Sequence, residues 1–303
     1  MPPSKPQKCK DQALEQSVLL HLDRFLEAAS VAQKWRTLAD LERRLQVRLS
    51  QAFRRQSAVF LRGFEGLRGR FAESGQYGPT LALPQREGIV TGLVLREAIT
   101  ADDWLRVFDE ATGQTFDLFF EAIQQSISTA LVQGGVETLA SVGVDFAFGL
   151  RHPRAEAYLA EHGSALITRI NEVTRGNIQT ILSEGIREGW SYDRIARAIT
   201  QMYSEMAVGK PQEHIDSRAH LIAVTELGNA YEAGSSIVVR DLQDSGLQME
   251  KSWLTVGDDR VSDGCRENAA EGWILFAQAH VSGHQHPLRF PGCRCTELYR
   301  RRP

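Results

Sequence analysis

A chain of 303 residues that is 42% apolar and 24% charged has the composition of an ordinary folded protein. It is long enough for two modest domains or one large one, which excludes wholesale disorder. A net charge of -3 excludes a surface that wraps nucleic acid throughout, so any DNA contact has to be local. No apolar run opens the chain in the manner of a signal peptide, and none approaches the roughly 20 residues that span a bilayer. A protein made and kept in a cytoplasm, with no membrane partner, is expected. Four cysteines are too few for a disulfide scaffold, which in that compartment leaves free thiols or metal ligands.

Residues 1–10 are rich in Pro and Lys and offer almost nothing to bury, so a mobile tail is predicted there, with no role for Cys9. The N-terminal helical region, 11–95, follows. Leu38, Leu41, Leu45, Leu49, Phe53, Phe60, Phe64, Leu67 and Phe71 recur at steps of three, four or seven, which is one apolar helical stripe. A continuous helix from Arg36 to Glu73 would run for about 55 Å at roughly 1.5 Å per residue, although Gly63, Gly66 and Gly69 weaken its second half. Arginine dominates the rest of this stretch, including Arg43, Arg44, Arg48, Arg54, Arg55 and Arg62. Such a row can be a solvated face whose stems cover apolar neighbours, or a surface for an acidic partner or DNA phosphates. Glycines and prolines between Ser74 and Thr100 predict a loop with a short hairpin at 89–95.

Helix returns at Ala101, where Thr100 is the N-cap candidate and Asp102 and Asp103 suit the first turn. A break is predicted at Gly134-Gly135. Within the helical middle, 96–212, two apolar stripes stand out: Leu166, Ile170, Val173, Ile178, Ile181, Leu182, and then Ile195, Ile199, Met202, Tyr203, Met206. Gly189 as a stop and Ser191 as the next N-cap make these an antiparallel pair. Gly209-Lys-Pro211 closes the region. A further helix from His214 to about Gly234 opens the C-terminal region, 213–303, and Ser252–Val256 reads as a strand leading into loop-rich sequence. The fold class is therefore mainly α, with long N-terminal helices, a helical middle and a small α+β C-terminal lobe.

The chemistry-bearing residues gather near the end. In an extended segment, residues two apart face the same side, so Cys293 and Cys295 can present two thiolates together. Tetrahedral zinc needs two further ligands, for which Cys265, His284 and His286 are candidates, and a small lobe with little apolar surface gains stability from such a clip. The same cysteines also suit a small buried cluster, or a disulfide between Cys265 and one of the pair. Asp258, Asp259, Arg260 and Asp263 read first as turn caps and ion pairs, and only secondarily as a cation site. Arg218 and Glu226, eight residues apart on one helix, share a side and read as a core ion bracket. No phosphate-cradling glycine loop, HExxH helix or Ser/His/Asp set is readable, so no complete catalytic set emerges.

The ordered pieces Arg218-Ala-His-Leu-Ile-Ala-Val-Thr225-Glu226, Ala230-Tyr-Glu-Ala-Gly234, Lys251-Ser-Trp253-Leu-Thr-Val-Gly-Asp-Asp259-Arg260, Asp263-Gly-Cys265 and Pro291-Gly-Cys293-Arg-Cys295 resemble the phage head morphogenesis proteins grouped as Mu protein F-like and gene product 7-like. The resemblance covers about 144–298. It implies a non-enzymatic minor head (capsid) protein of a tailed bacteriophage or prophage, found in the virion at the portal vertex or capsid interior and in the host cytoplasm during assembly. The implied partners are the portal protein and the major capsid or scaffold proteins, with DNA as a further partner in packaging or delivery. Arg218, Thr225, Glu226, Gly234, Trp253, Asp259 and Arg260 are the motif residues given a structural role. Two other classes fit parts of the sequence: a zinc-dependent hydrolase using His284 and His286, and a DNA-binding adaptor working through the Arg36–Arg70 stripe.

Overall fold

The computed structural model describes residues 5–73, 99–208 and 217–302, with side chains of the first helix described at Ala32 and over 34–67. The hairpin expected at 89–95 and the terminator at 209–211 lie outside the described residues. The elements are α1 (Lys5–Glu73), α2 (Ala101–Ser141), α3 (Pro153–Arg187), α4 (Tyr192–Val208), α5 (Arg218–Asp244), β1 (Met249–Leu254), α6 (Asp263–Ala270), β2 (Ile274–Leu275) and β3 (Thr296–Arg301). The protein is mostly helical, with one small antiparallel sheet of order β2-β1-β3 near its C-terminus. Helix α1 starts at Lys5, inside the stretch read as a tail. It also continues through Gly63, Gly66 and Gly69.

Two compact units divide the chain. The first comprises residues 1–42, 127–156 and 224–303, and the second 43–126 and 157–223. In the second, the α1 stripe places Leu45, Leu49, Phe53, Phe60, Phe64 and Leu67 in the core, all nearly inaccessible. Phe64 stacks on Trp104 with centroids 3.5 Å apart, and Phe53 meets Phe119 edge-on at 5.2 Å. Each such ring contributes roughly 1.5–3 kcal/mol by leaving water. Gln56 is one fully buried polar member of this core, and it is satisfied. Its amide donates to Asn171 at 3.2 Å and its carbonyl accepts from Tyr203 Oη at 3.3 Å.

Local signals set the element ends. The Thr100 hydroxyl accepts from Asp103 N while the Asp103 carboxylate accepts from Thr100 N, a reciprocal capping box that starts α2. Gly189, at φ +64, and Ser191, whose Oγ accepts from Arg194 N, make the α3–α4 turn as expected. Gly134-Gly135 does not break α2, which runs on to Ser141. The reason lies in the first unit, where α2 and α5 touch backbone to backbone. A Cβ at Gly134 would sit 2.0 Å from the Tyr231 carbonyl oxygen, and one at Gly234 would sit 1.9 Å from that of Leu131. Glycine is required here for closeness, and the contact offsets its helical cost. Helix α5 begins at Arg218 and runs ten residues beyond Gly234.

In the sheet, Lys251 of β1 lies opposite both Ile274 and Tyr299, and Trp253 lies opposite Glu297. Buried Trp253 then faces Val261, Cys265, Cys293 and Cys295, the small core of the lobe.

Candidate functional site

Each cysteine is held by a short local device. Ser262 caps α6 and accepts from Cys265 N through its hydroxyl, which fixes Cys265 in the first turn. Cys293 closes a turn in which its N–H donates to the Phe290 carbonyl at 3.1 Å, with Gly292 at φ +83. Gly292 N in turn donates to Thr225 Oγ1 at 3.0 Å, tying the turn to α5. Cys295 then leads into β3. All three thiols are free and buried, and their sulfurs lie within 4.8 Å of one another. Tetrahedral zinc, with Zn–S near 2.3 Å, holds its sulfurs about 3.8 Å apart, so the cluster needs little adjustment to take an ion.

The three thiols are coupled to one another by hydrogen bonds. Cys293 accepts from the Cys295 thiol and, against the effect of burial, also from the backbone N–H groups of Cys295 and Arg289 and from the Cys265 thiol. Its thiol is held down to about 6. Cys295 is driven far up, first by donating to Cys293 and then by burial, with the Trp253 indole acting in the opposite direction. That indole N–H is buried with no nitrogen or oxygen acceptor. One thiolate surrounded by donors is the state that a soft dication would exploit.

His284 and His286 are not brought into this group. His284 Nδ1 lies 3.0 Å from Ser282 Oγ, and His286 is exposed with Nδ1 2.6 Å from the Pro287 carbonyl. Asp258 and Asp259 bracket Arg260 at 3.6 and 3.8 Å, and Asp258 Oδ1 accepts from Arg260 N, so these groups shape a turn. Arg218 directs its guanidinium to the Ile170 carbonyl at 3.3 Å and over the Phe53 ring at 5.8 Å, and burial pulls its pKa down. Arg43, Arg44, Arg48, Arg54, Arg55 and Arg62 are exposed along α1.

A set of buried ionisable side chains that the sequence did not disclose surrounds the cluster. Lys34 of α1, 3% exposed, donates to Glu232 Oε1 at 2.5 Å and to the Cys295 carbonyl at 2.9 Å. Thr296 Oγ1 donates to the same Glu232 oxygen at 2.8 Å. His280 sits between two carboxylates, with Nδ1 3.2 Å from Glu271 and Nε2 2.5 Å from Glu297, and its ring meets Trp253 edge-on at 5.1 Å. Lys251 donates to the Gln285 carbonyl, and burial lowers its pKa against the pull of Glu297 and Glu271. Charged residues carry no periodic signal, and the Lys34–Glu232 partners stand 198 residues apart.

Beside the cluster lies a cavity of about 70 Å³ whose walls include Lys34, Trp35, Glu42, Leu288, Cys293 and Arg294. Arg294 lies over the Trp35 ring at 5.5 Å and 3.8 Å from Glu42. Burial raises the Glu42 pKa, with Arg294 and Lys34 opposing it.

A long-helix protein whose small C-terminal lobe is organised around a buried cysteine cluster and buried polar pairs is thereby defined, and no described helix is long and apolar enough to cross a membrane. Residues 176–298 match the family model for phage Mu protein F like protein, a match consistent with phage head morphogenesis. No curated protein and no solved structure matches the chain.

Proposed function

We propose that this chain is a minor head protein of a tailed phage or prophage, acting at the portal or inner capsid during head morphogenesis and held in the virion. The observation that carries this reading is the family match across 176–298, the stretch that contains the cysteine cluster, Trp253 and all of α5. The portal protein is the proposed main partner, with capsid or scaffold proteins beside it. The exposed arginines of α1 are the proposed contact surface, and they also suit packaged DNA. Within the lobe, Cys265, Cys293 and Cys295 are the proposed ligands of a structural zinc ion, supported by their convergence and by the hydrogen bonds that favour a Cys293 thiolate. The ion would link α6 to the segment entering β3.

Co-expression with the portal protein encoded in the same genome, followed by pull-down, tests the role. The full chain should be captured. A variant with Arg43, Arg44, Arg48, Arg54, Arg55 and Arg62 changed to Gln should lose capture, and should also lose any salt-sensitive retention on DNA. Equal capture of both forms moves the partner surface elsewhere, and capture of neither rejects the portal role. Metal analysis of the purified chain should find stoichiometric zinc that Cys265→Ser abolishes.

A further inference from the structure

Three thiolates leave a tetrahedral ion one ligand short. Among the described residues no fourth His, Cys, Asp or Glu atom joins the sulfur group. His284 and His286 turn their Nδ1 atoms to Ser282 and Pro287, and Glu42 faces Arg294.

We propose that the ion held by Cys265, Cys293 and Cys295 keeps its fourth coordination position for a small exogenous ligand, water or a soft anion, reached through the cavity beside Cys293. The inference rests on the metal reading above. Three protein ligands with one open position is the arrangement of exchangeable zinc sites, whereas purely structural sites are closed by four.

Three features of the lobe support an open position on this side. Of the three ligand cysteines, Cys293 is among the residues lining the cavity, and Trp253 and Val261 pack against the cluster in the lobe core. The cavity, at about 70 Å³, has room for water, which needs roughly 10–15 Å³. Its charge is also suited to an anion. Three thiolates on a dication carry one net negative charge and an anionic fourth ligand adds another, so nearby cations decide whether it stays. Arg294 and Lys34 both line the cavity. Lys34 is committed to Glu232 and the Cys295 carbonyl, but Arg294 Nε is buried with no hydrogen-bond partner, an unused donor on a residue that lines the cavity.

The test uses the full chain loaded with Co²⁺, whose visible spectrum reports both thiolate ligation and coordination geometry. Thiocyanate is the probe. Thiolate-to-cobalt charge-transfer bands should appear on loading, and the ligand-field bands should then shift saturably with thiocyanate while the cobalt stays bound through gel filtration. Arg294→Met should weaken the thiocyanate response by roughly tenfold per bound cobalt, the scale of losing one nearby cation. Ala39→Phe, at an exposed residue of the cavity wall, should suppress the response. Tightly bound cobalt with a spectrum indifferent to thiocyanate overturns the open position and leaves the metal site standing. An undiminished response in both variants overturns the cavity as its route. Failure to take up cobalt at all removes the metal reading, and this inference with it.

Discussion

The two units of the chain solve the same problem by different means. In the unit built from residues 43–126 and 157–223, the interior is rings and branched aliphatics, and its buried Gln56 is fully partnered. In the unit containing the C-terminal lobe, the interior holds Lys34, Glu232, Lys251, His280, Glu297 and three cysteines. The first kind of core draws its stability from area removed from water. The second gains less from area, and each of its buried ionisable side chains tolerates burial only because a specific partner meets it. A helical stripe tolerates many sequences, whereas a set of paired ions tolerates few.

Several measurements would break or sharpen that contrast. Chelating the proposed ion should have the largest effect, several kcal/mol by analogy with structural zinc sites. Hydrogen exchange should then rise across 249–302 and stay unchanged across 45–67. Trp104→Ala should cost about 3–5 kcal/mol in denaturant unfolding and reverse that pattern, raising exchange in the aromatic core. Lys34→Met should also cost about 3–5 kcal/mol, because it strands the Glu232 carboxylate, and adding Glu232→Met should recover most of the loss. If the double variant is as unstable as the single one, the two cores do not differ in this way.

Two smaller effects concern helix geometry. Gly234→Ala should cost about 1–3 kcal/mol, since the new methyl meets backbone that cannot swing aside. Asp103→Ala should cost about 1 kcal/mol through the capping box. The Asp103 pKa is lowered: partial desolvation, which raises it, is outweighed by hydrogen bonds from Thr100 and by Arg106. Its contribution should therefore be intact above the ordinary carboxylate range and fade as pH falls through the lowered value, an acid-limb shift that the Ala variant lacks.

What could be read from the sequence follows the range of each interaction. The Thr100 cap, the Gly189–Ser191 turn and the α1 stripe from Leu45 to Leu67 involve neighbours within a turn or two, and they appear as expected, while Phe71 lies outside the described side chains. The three cysteines were readable because thiols are few. Gly134-Gly135 was misread because its meaning depends on the Tyr231 backbone of another helix, which no local pattern announces. His280 went unnoticed while His284 and His286 attracted attention, since burial rather than spacing distinguishes them. Lys34 carries no local signal of burial, and only its distant carboxylate makes it part of a core.

The glycine contact between α2 and α5 also works as a datum for the lobe. With Gly234 against the Leu131 carbonyl and Gly134 against that of Tyr231, α5 can neither slide along α2 nor roll on it without collision. Glu232 is two residues from Gly234 and Thr225 is nine, so both are indexed from that one point. The height at which α5 presents a carboxylate to Lys34, and a hydroxyl to the cysteine turn, is thus gauged by two missing side chains.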